Sequence, residues 1–258
     1  MDKDRLRQVV TLVAALATII VNFAAVLLPL NGKTTGELSD RFEVYFVPAG
    51  YVFSIWSVIY VLLVVFAVWQ VLPARREDEQ MRAIAPLVWL SCLANIGWIF
   101  LWHYEQVPAS ILAMLVLLGS LIAIYLRLDI GRAQADRARR WAVNALFSVY
   151  LGWITVATIA NATTVLDYFK WSGWGIGPET WTAIMLAVAV LLAGVMAYTR
   201  RDVLYLLVLV WAFAGIAVKF PGVQIVAPAA WAATVAVAVL ALPSLWRRRA
   251  AGQALLPA

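Results

Sequence analysis

Three short runs of the sequence set uncharged polar and aromatic side chains at helical spacing. Phe53, Trp56 and Tyr60 form the first run; Cys92, Asn95, Trp98 and Trp102 the second; Tyr150, Trp153, Ala157 and Asn161, with Thr158 beside them, the third. Residues three or four apart share one side of a helix, so each run makes a stripe. Such stripes offer stacking from indole and phenol rings and hydrogen bonds from amides and hydroxyls, which is the chemistry of binding a flat apolar guest. They lack the groups that catalysis needs. The chain has no Ser/His/Asp set, no Gly-rich phosphate loop and no carboxylate pair at catalytic spacing. Cys92 is the single cysteine, which rules out an intramolecular disulfide and gives no metal-ligand spacing. The single histidine, His103, falls at the end of its run and reads as a solvated interfacial residue. No catalytic residue and no metal ligand is assigned.

Helices in a membrane must position these stripes. Hydrophobic residues make up 64% and charged residues 13% of the 258-residue chain, against about 45–50% and about 25% in a globular domain. The mean hydropathy is +0.87. Uncharged apolar runs of about 18 residues or more can cross a hydrocarbon core about 30 Å thick. They recur near Leu6–Leu30, Pro48–Leu72, Ala83–Trp102, Pro108–Leu126, Trp141–Leu166, Thr180–Tyr198, Val203–Val218 and Ile225–Leu245. The fold class is therefore all-α, a polytopic bundle of about eight transmembrane helices. The first run is too long for a signal peptide and lacks a small-residue cleavage site, so it reads as a mature helix.

The net charge of +6 points to topology rather than nucleic acid. With the N-terminus inside, 16 of the 20 basic residues fall on one side: Lys3, Arg5 and Arg7; Arg75, Arg76 and Arg82; Arg127, Arg132, Arg137, Arg139 and Arg140; Arg200 and Arg201; Arg247, Arg248 and Arg249. Lys33, Arg41, Lys170 and Lys219 fall on the other. Lys and Arg in short loops mark the cytoplasmic side, which predicts a multi-pass protein of a bacterial inner membrane with both termini cytoplasmic. Two outer segments are long. Asn31–Val47 ends in Tyr45–Phe46, and Asp167–Glu179 is rich in Gly and Trp; the second reads either as part of the interfacial aromatic belt or as a lid over a cavity. Residues 250–258 read as a disordered cytoplasmic tail.

No charged residue lies deep in any of these runs, which lowers the expectation of a proton relay or an ion-coupled carrier. At about 1.5 Å per residue, Trp56, Asn95, Trp98, Thr158, Asn161 and Asn22 come out at one depth, roughly 8–13 Å below the outer ends, with Trp153 deeper. Small residues beside them (Ala94, Gly97, Gly152, Ala157, Ala160) leave room for a guest or allow close helix approach. Two readings stay open: a packed bundle tied by its asparagines, and a cavity in the outer half of helices one, two, three and five, with Trp56, Trp98, Trp153 and Asn161 on its walls.

At these same positions the chain resembles the tryptophan-rich sensory protein family, also called TspO/MBR or translocator protein. The family opens its second helix with Pro-Pro-Gly-Trp-Val-Phe, then Val-Trp and a Tyr; here the stretch is Pro48-Ala49-Gly50-Tyr51-Val52-Phe53 followed by Ile55-Trp56 and Tyr60. Leu93-Ala94-Asn95-Ile96-Gly97-Trp98 matches the third helix, and Tyr150-Leu151-Gly152-Trp153 through Ala157-Thr158 to Asn161 the fifth. The resemblance covers residues 1–166 as a TspO-like five-helix core, with 167–249 as three additional C-terminal helices of a longer bacterial branch. It implies a cavity for an apolar planar molecule, porphyrin or sterol-like, with no covalent cofactor and with a porphyrin or haem-type ligand. It adds Tyr51, at the motif tryptophan's place, to the candidate ligand-binding residues Phe53, Trp56, Asn95, Trp98, Tyr150, Trp153, Ala157, Thr158 and Asn161. It also implies membrane lipid and an apolar small molecule as partners, and a homodimer. One residue is missing between Phe53 and Trp56 relative to the family pattern, an offset of about 100° on an α-helix. A sensory or regulatory binding role leads, a small transporter of an uncharged or amphipathic solute is the alternative, and an enzyme comes third. For the last three helices the expectation is a scaffold packed through Ala229, Ala233 and Ala236 on the eighth; the alternative is that Trp211 and Trp231 reach the cavity.

Overall fold

A computed structural model describes residues 2–28 and 30–253, with side chains through residue 243. All its regular elements are helical. The long ones are α1 (Lys3–Leu27), α2 (Ile55–Gln70), α3 (Glu79–His103), α4 (Val107–Arg127), α5 (Ala145–Tyr168), α6 (Pro178–Thr199), α7 (Val203–Lys219) and α8 (Val226–Gln253). Seven are long and apolar enough to cross a membrane once the turn before α2 is included. The eighth, α7, has 17 residues, about 25 Å of rise and the short end of what a span needs. The backbone of α8 stays helical to Gln253, four residues into the segment read as a tail, and residues 254–258 lie outside the described residues.

Local chemistry sets the helix ends. Asp78 caps α3 through the amides of Gln80 and Met81, and Asp202 caps α7 through those of Leu204 and Tyr205; each satisfies N–H groups that the first turn leaves without a partner. Pro178 opens α6, where its missing N–H costs nothing. Between the first and second spans, Thr34 and Glu37 form a reciprocal capping box on a short helix, Thr35–Ser39.

The centre of the bundle is α5. Its span is 72% buried, against 28% for α1 and 22% for α6. It packs on α2, α4 and α7; α3 lies against α1 and α4; and α8 bridges α6 and α7. Gly152 allows the α5–α7 approach, since a Cβ there would sit 3.1 Å from both the Tyr205 carbonyl oxygen and Val208. The basic loops converge at one end. Arg7 donates to the carbonyls of Arg75 and Arg76, Arg82 pairs with Asp4, Arg139 with Asp78 and Arg200 with Asp129. That end also buries a carboxylate the charge count treats as loop: Asp202 is 2% exposed and accepts from Tyr125 and Ser148 besides the α7 amides. No spacing in the sequence announces this lock, because its partners come from three separate helices.

Candidate functional site

The stripes converge. A cavity of about 50 Å³ lies at the end of the bundle opposite the basic loops, lined by Phe53, Trp56, Asn95, Trp98, Trp153, Ala157 and Asn161, together with Trp102, Met114, Leu117 and Ala160. The walls come from α2, α3, α4 and α5. Helix α1 contributes none, contrary to expectation, because Asn22 sits behind Asn95 and is hydrogen-bonded to it at 2.7 Å. Thr35 and Ser39 of the short loop helix line it at the end away from the basic loops.

The rings form two groups. Trp98 and Trp102 stack at 5.4 Å. Trp153 meets Phe53 and Trp56 edge to face at 5.8 and 6.2 Å, and Trp56 stacks on Tyr60 at 5.7 Å. Sequence offset and structure are reconciled by the turn Gly50–Ser54, which is a 3₁₀ helix. Residues three apart eclipse in that tighter winding, so Phe53 and Trp56 face the same space despite the missing residue.

Most polar groups at the site are already spent. Asn95 accepts from Asn22 and donates to the Tyr150 hydroxyl at 2.9 Å, which ties α1, α3 and α5. Asn161 accepts from the Trp98 indole at 3.2 Å and donates to Ser110 at 2.9 Å, which ties α3, α4 and α5. The asparagine-tied bundle and the cavity are thus both present. One donor is left over: the Trp153 indole nitrogen is buried without a hydrogen-bond partner. A neighbouring ring face is at best a weak acceptor for it.

Three candidates fall elsewhere. Tyr150 stands behind the wall, holding Asn95 and meeting Trp56 at 5.9 Å. Tyr51 is 48% exposed and packs edge to face on Trp211 at 5.2 Å, because the 3₁₀ turn sends it away from Phe53. Thr158, one residue and about 100° beyond Ala157, faces a separate cleft on the other side of α5. His103 is fully buried rather than solvated. Its Nδ1 donates to the Ile99 carbonyl at 2.8 Å, and its Nε2 lies 3.4 Å from the Thr35 hydroxyl.

The amino-acid sequence from residue 8 to residue 246 matches the family model described as TSPO-like protein. The chain belongs to this family. No curated protein and no solved structure matches it. The TSPO-like match runs into α8, well past the five-helix core that carries the resemblance, so α6, α7 and most of α8 lie within the family's pattern. Their contact with the site is direct but stops at its outer wall. Trp211 of α7 donates to the Val52 carbonyl at 3.1 Å and Ala49 donates to the Gly215 carbonyl at 3.1 Å. A Cβ at Gly215 would come within 2.2 Å of a Val52 methyl. Helix α7 therefore clamps the turn that carries Phe53, while neither Trp211 nor Trp231 lines the cavity.

Proposed function

We propose that this TSPO-like membrane protein is a receptor or regulator that binds a flat, apolar small molecule of the porphyrin or sterol-like class, between the Trp98–Trp102 pair and the Phe53–Trp56–Trp153 group. The observation that carries the reading is the Trp153 indole, a buried donor without a partner on the wall of a mainly apolar cavity that holds four further aromatic rings. Such a group costs about 1–3 kcal/mol while unmade, and a guest bearing an acceptor recovers it. At about 50 Å³ the cavity holds only a few waters, whereas small-molecule sites run to about 300–1,000 Å³. Guest binding therefore parts the rings and lifts the Thr35–Ser39 helix. The basic end is proposed to face the cytoplasm, so that the site opens from the outer half of the membrane.

Titration with protoporphyrin, followed by tryptophan quenching, tests the reading; with 13 tryptophans the signal survives removal of one. Saturable quenching is expected, weakened about tenfold in Trp153→Phe. Unsaturable quenching, or a Trp153→Phe titration that overlays the parent, would overturn the proposal. Transport has less behind it. Pro221 and Gly222 lie in the turn after α7, and Pro228 in the first turn of α8, so these residues mark helix ends and not the broken helices that carriers use. Proteoliposomes are expected to bind porphyrin without moving it.

A further inference from the structure

On the face of α5 turned away from Trp153 lies a larger cleft of about 510 Å³. It exists because α6 packs on α8 and α7 instead of closing against α5. Its α5 wall includes Thr158, Ala162 and Leu166, one turn apart, and its α6 wall Thr182 and Met185. The loop that the sequence left between belt and lid forms one border, through Trp171, Gly173 and Ile176. This volume falls in the range of small-molecule sites.

The polar groups of the cleft are one-sided. Thr158, Thr163 and Thr182 donate to the carbonyls of Ile154, Ala160 and Pro178 at 2.7–2.9 Å, and the Trp181 indole donates to that of Gly173 at 2.9 Å. These donors are spent on the protein itself. The charged side chains on the cleft walls are carboxylates, Glu43 and Asp167. The Asp167 carboxylate meets Lys170 at 3.4 Å, but the lysine side chain is 80% exposed and the contact is correspondingly weak. Asp167 also stands in the last turn of α5, where the helix dipole already places negative charge. Burial, and after it the Glu179 and Glu43 carboxylates, push the Tyr45 phenol above its usual range. Beside the acids, Trp171, Trp174 and Trp181 stand 5.2–5.9 Å apart, ring to ring. Aromatic faces next to carboxylates favour a cation with a greasy body.

We infer that the α5–α6 cleft binds a lipophilic cation, its apolar body along Ala162, Leu166 and Met185 and its quaternary or protonated head against Trp171 and Trp181, between Glu43 and Asp167. This site is independent of the Trp153 cavity and does not rest on the porphyrin reading.

Tetraphenylphosphonium and tetraphenylborate have nearly the same shape and apolar surface and opposite charge, so the pair isolates the electrostatic part. Equilibrium dialysis of the purified full-length protein in an uncharged detergent is expected to give one saturable phosphonium site, at least tenfold tighter than any borate site. The Glu43→Gln/Asp167→Asn double variant is expected to lose about tenfold in phosphonium affinity with its protoporphyrin titration unchanged, and Ala162→Trp to fill the cleft and abolish binding. Equal uptake of the two ions would overturn the inference, as would phosphonium binding that neither variant alters; both results mean simple partition or a cleft filled by acyl chains.

Discussion

Asn95 and Trp153 look alike in the sequence, as side chains with a polar group on neighbouring stripes, yet they do opposite things in the bundle. Asn95 is 1% exposed and is spent in both directions, on Asn22 and on Tyr150. Replacing it with alanine leaves the Tyr150 hydroxyl without its partner and leaves the Asn22 amide only the Thr18 carbonyl at 2.8 Å. Hydrogen bonds between membrane helices contribute about 0.6 kcal/mol on average and about 1.7 at most, so Asn95→Ala is expected to lower stability by about 1–2 kcal/mol. Trp153→Phe removes a donor that was never satisfied and is expected to stay within about 1 kcal/mol of the parent. Thermal unfolding of the two variants in detergent compares them directly, and equal losses would refute the distinction. Depth and face could be read from spacing, which is why seven of the ten candidate residues do line the cavity. Which amide meets which partner depends on helix rotation and approach across 73 residues in one case and 55 in the other, and no local pattern encodes that.

Two elements hold the cavity from outside it. The first is α7, whose Gly215 sits under the 3₁₀ turn with no space for a side chain beyond hydrogen. Gly215→Ala is expected to push Val52 and with it Phe53, lowering both the unfolding temperature and protoporphyrin affinity; Val52→Ala in the same chain should restore much of each. Failure of the second change to rescue the first would place the damage elsewhere in α7. The second element is the Thr35–Ser39 helix, tethered where Glu105 bonds to Lys33 and lies 2.8 Å from Arg41. Those two cations, Lys33 first, hold the Glu105 carboxyl below its usual value. A depressed carboxyl stabilises fully above its unfolded pKa of about 4.3 and loses that contribution as pH falls through its lower folded value. Amide exchange over residues 34–40 should therefore run faster in Glu105→Gln than in the parent at pH 7 and at pH 5.5, with the ratio falling to one in stronger acid. A ratio of one throughout would mean that the tether does not hold the lid. The helix α7 was legible as the run Val203–Val218, but neither bracing contact was: a 3₁₀ turn and an α-helical start look the same over five residues, and the ion pairs join segments far apart in the chain.

At the scale of the whole molecule, composition and the alternation of basic loops sufficed for a bundle of about eight helices, because lipid imposes length and charge rules on every span. The packing face of α8 was another matter. Of the expected Ala229, Ala233 and Ala236 stripe, Ala233 is buried and Ala229 packs on the core while partly exposed, but the fully covered line is Val226, Ala230, Ala233, Val237 and Ala241, all at most 5% exposed. Alanine occurs nearly all round this helix, so its sequence carries little contrast from which to read a face. Ala233 belongs to both versions, and small residues are what let α8 lie close to α6 and α7. Putting leucine there overfills a packed contact, which costs about 1–3 kcal/mol; leucine at Ala232, an exposed neighbour, is expected to cost little. Among the described residues no α8 side chain lines the Trp153 cavity, so Ala233→Leu is expected to lower the unfolding temperature while protoporphyrin affinity per folded molecule stays at the parental value. This is the reverse of Gly215→Ala, where affinity falls with stability because α7 touches the cavity's own turn. If Ala233→Leu kept its stability and lost its affinity, the site would have to extend into α8, and the division between a binding layer and a bracing layer would be wrong.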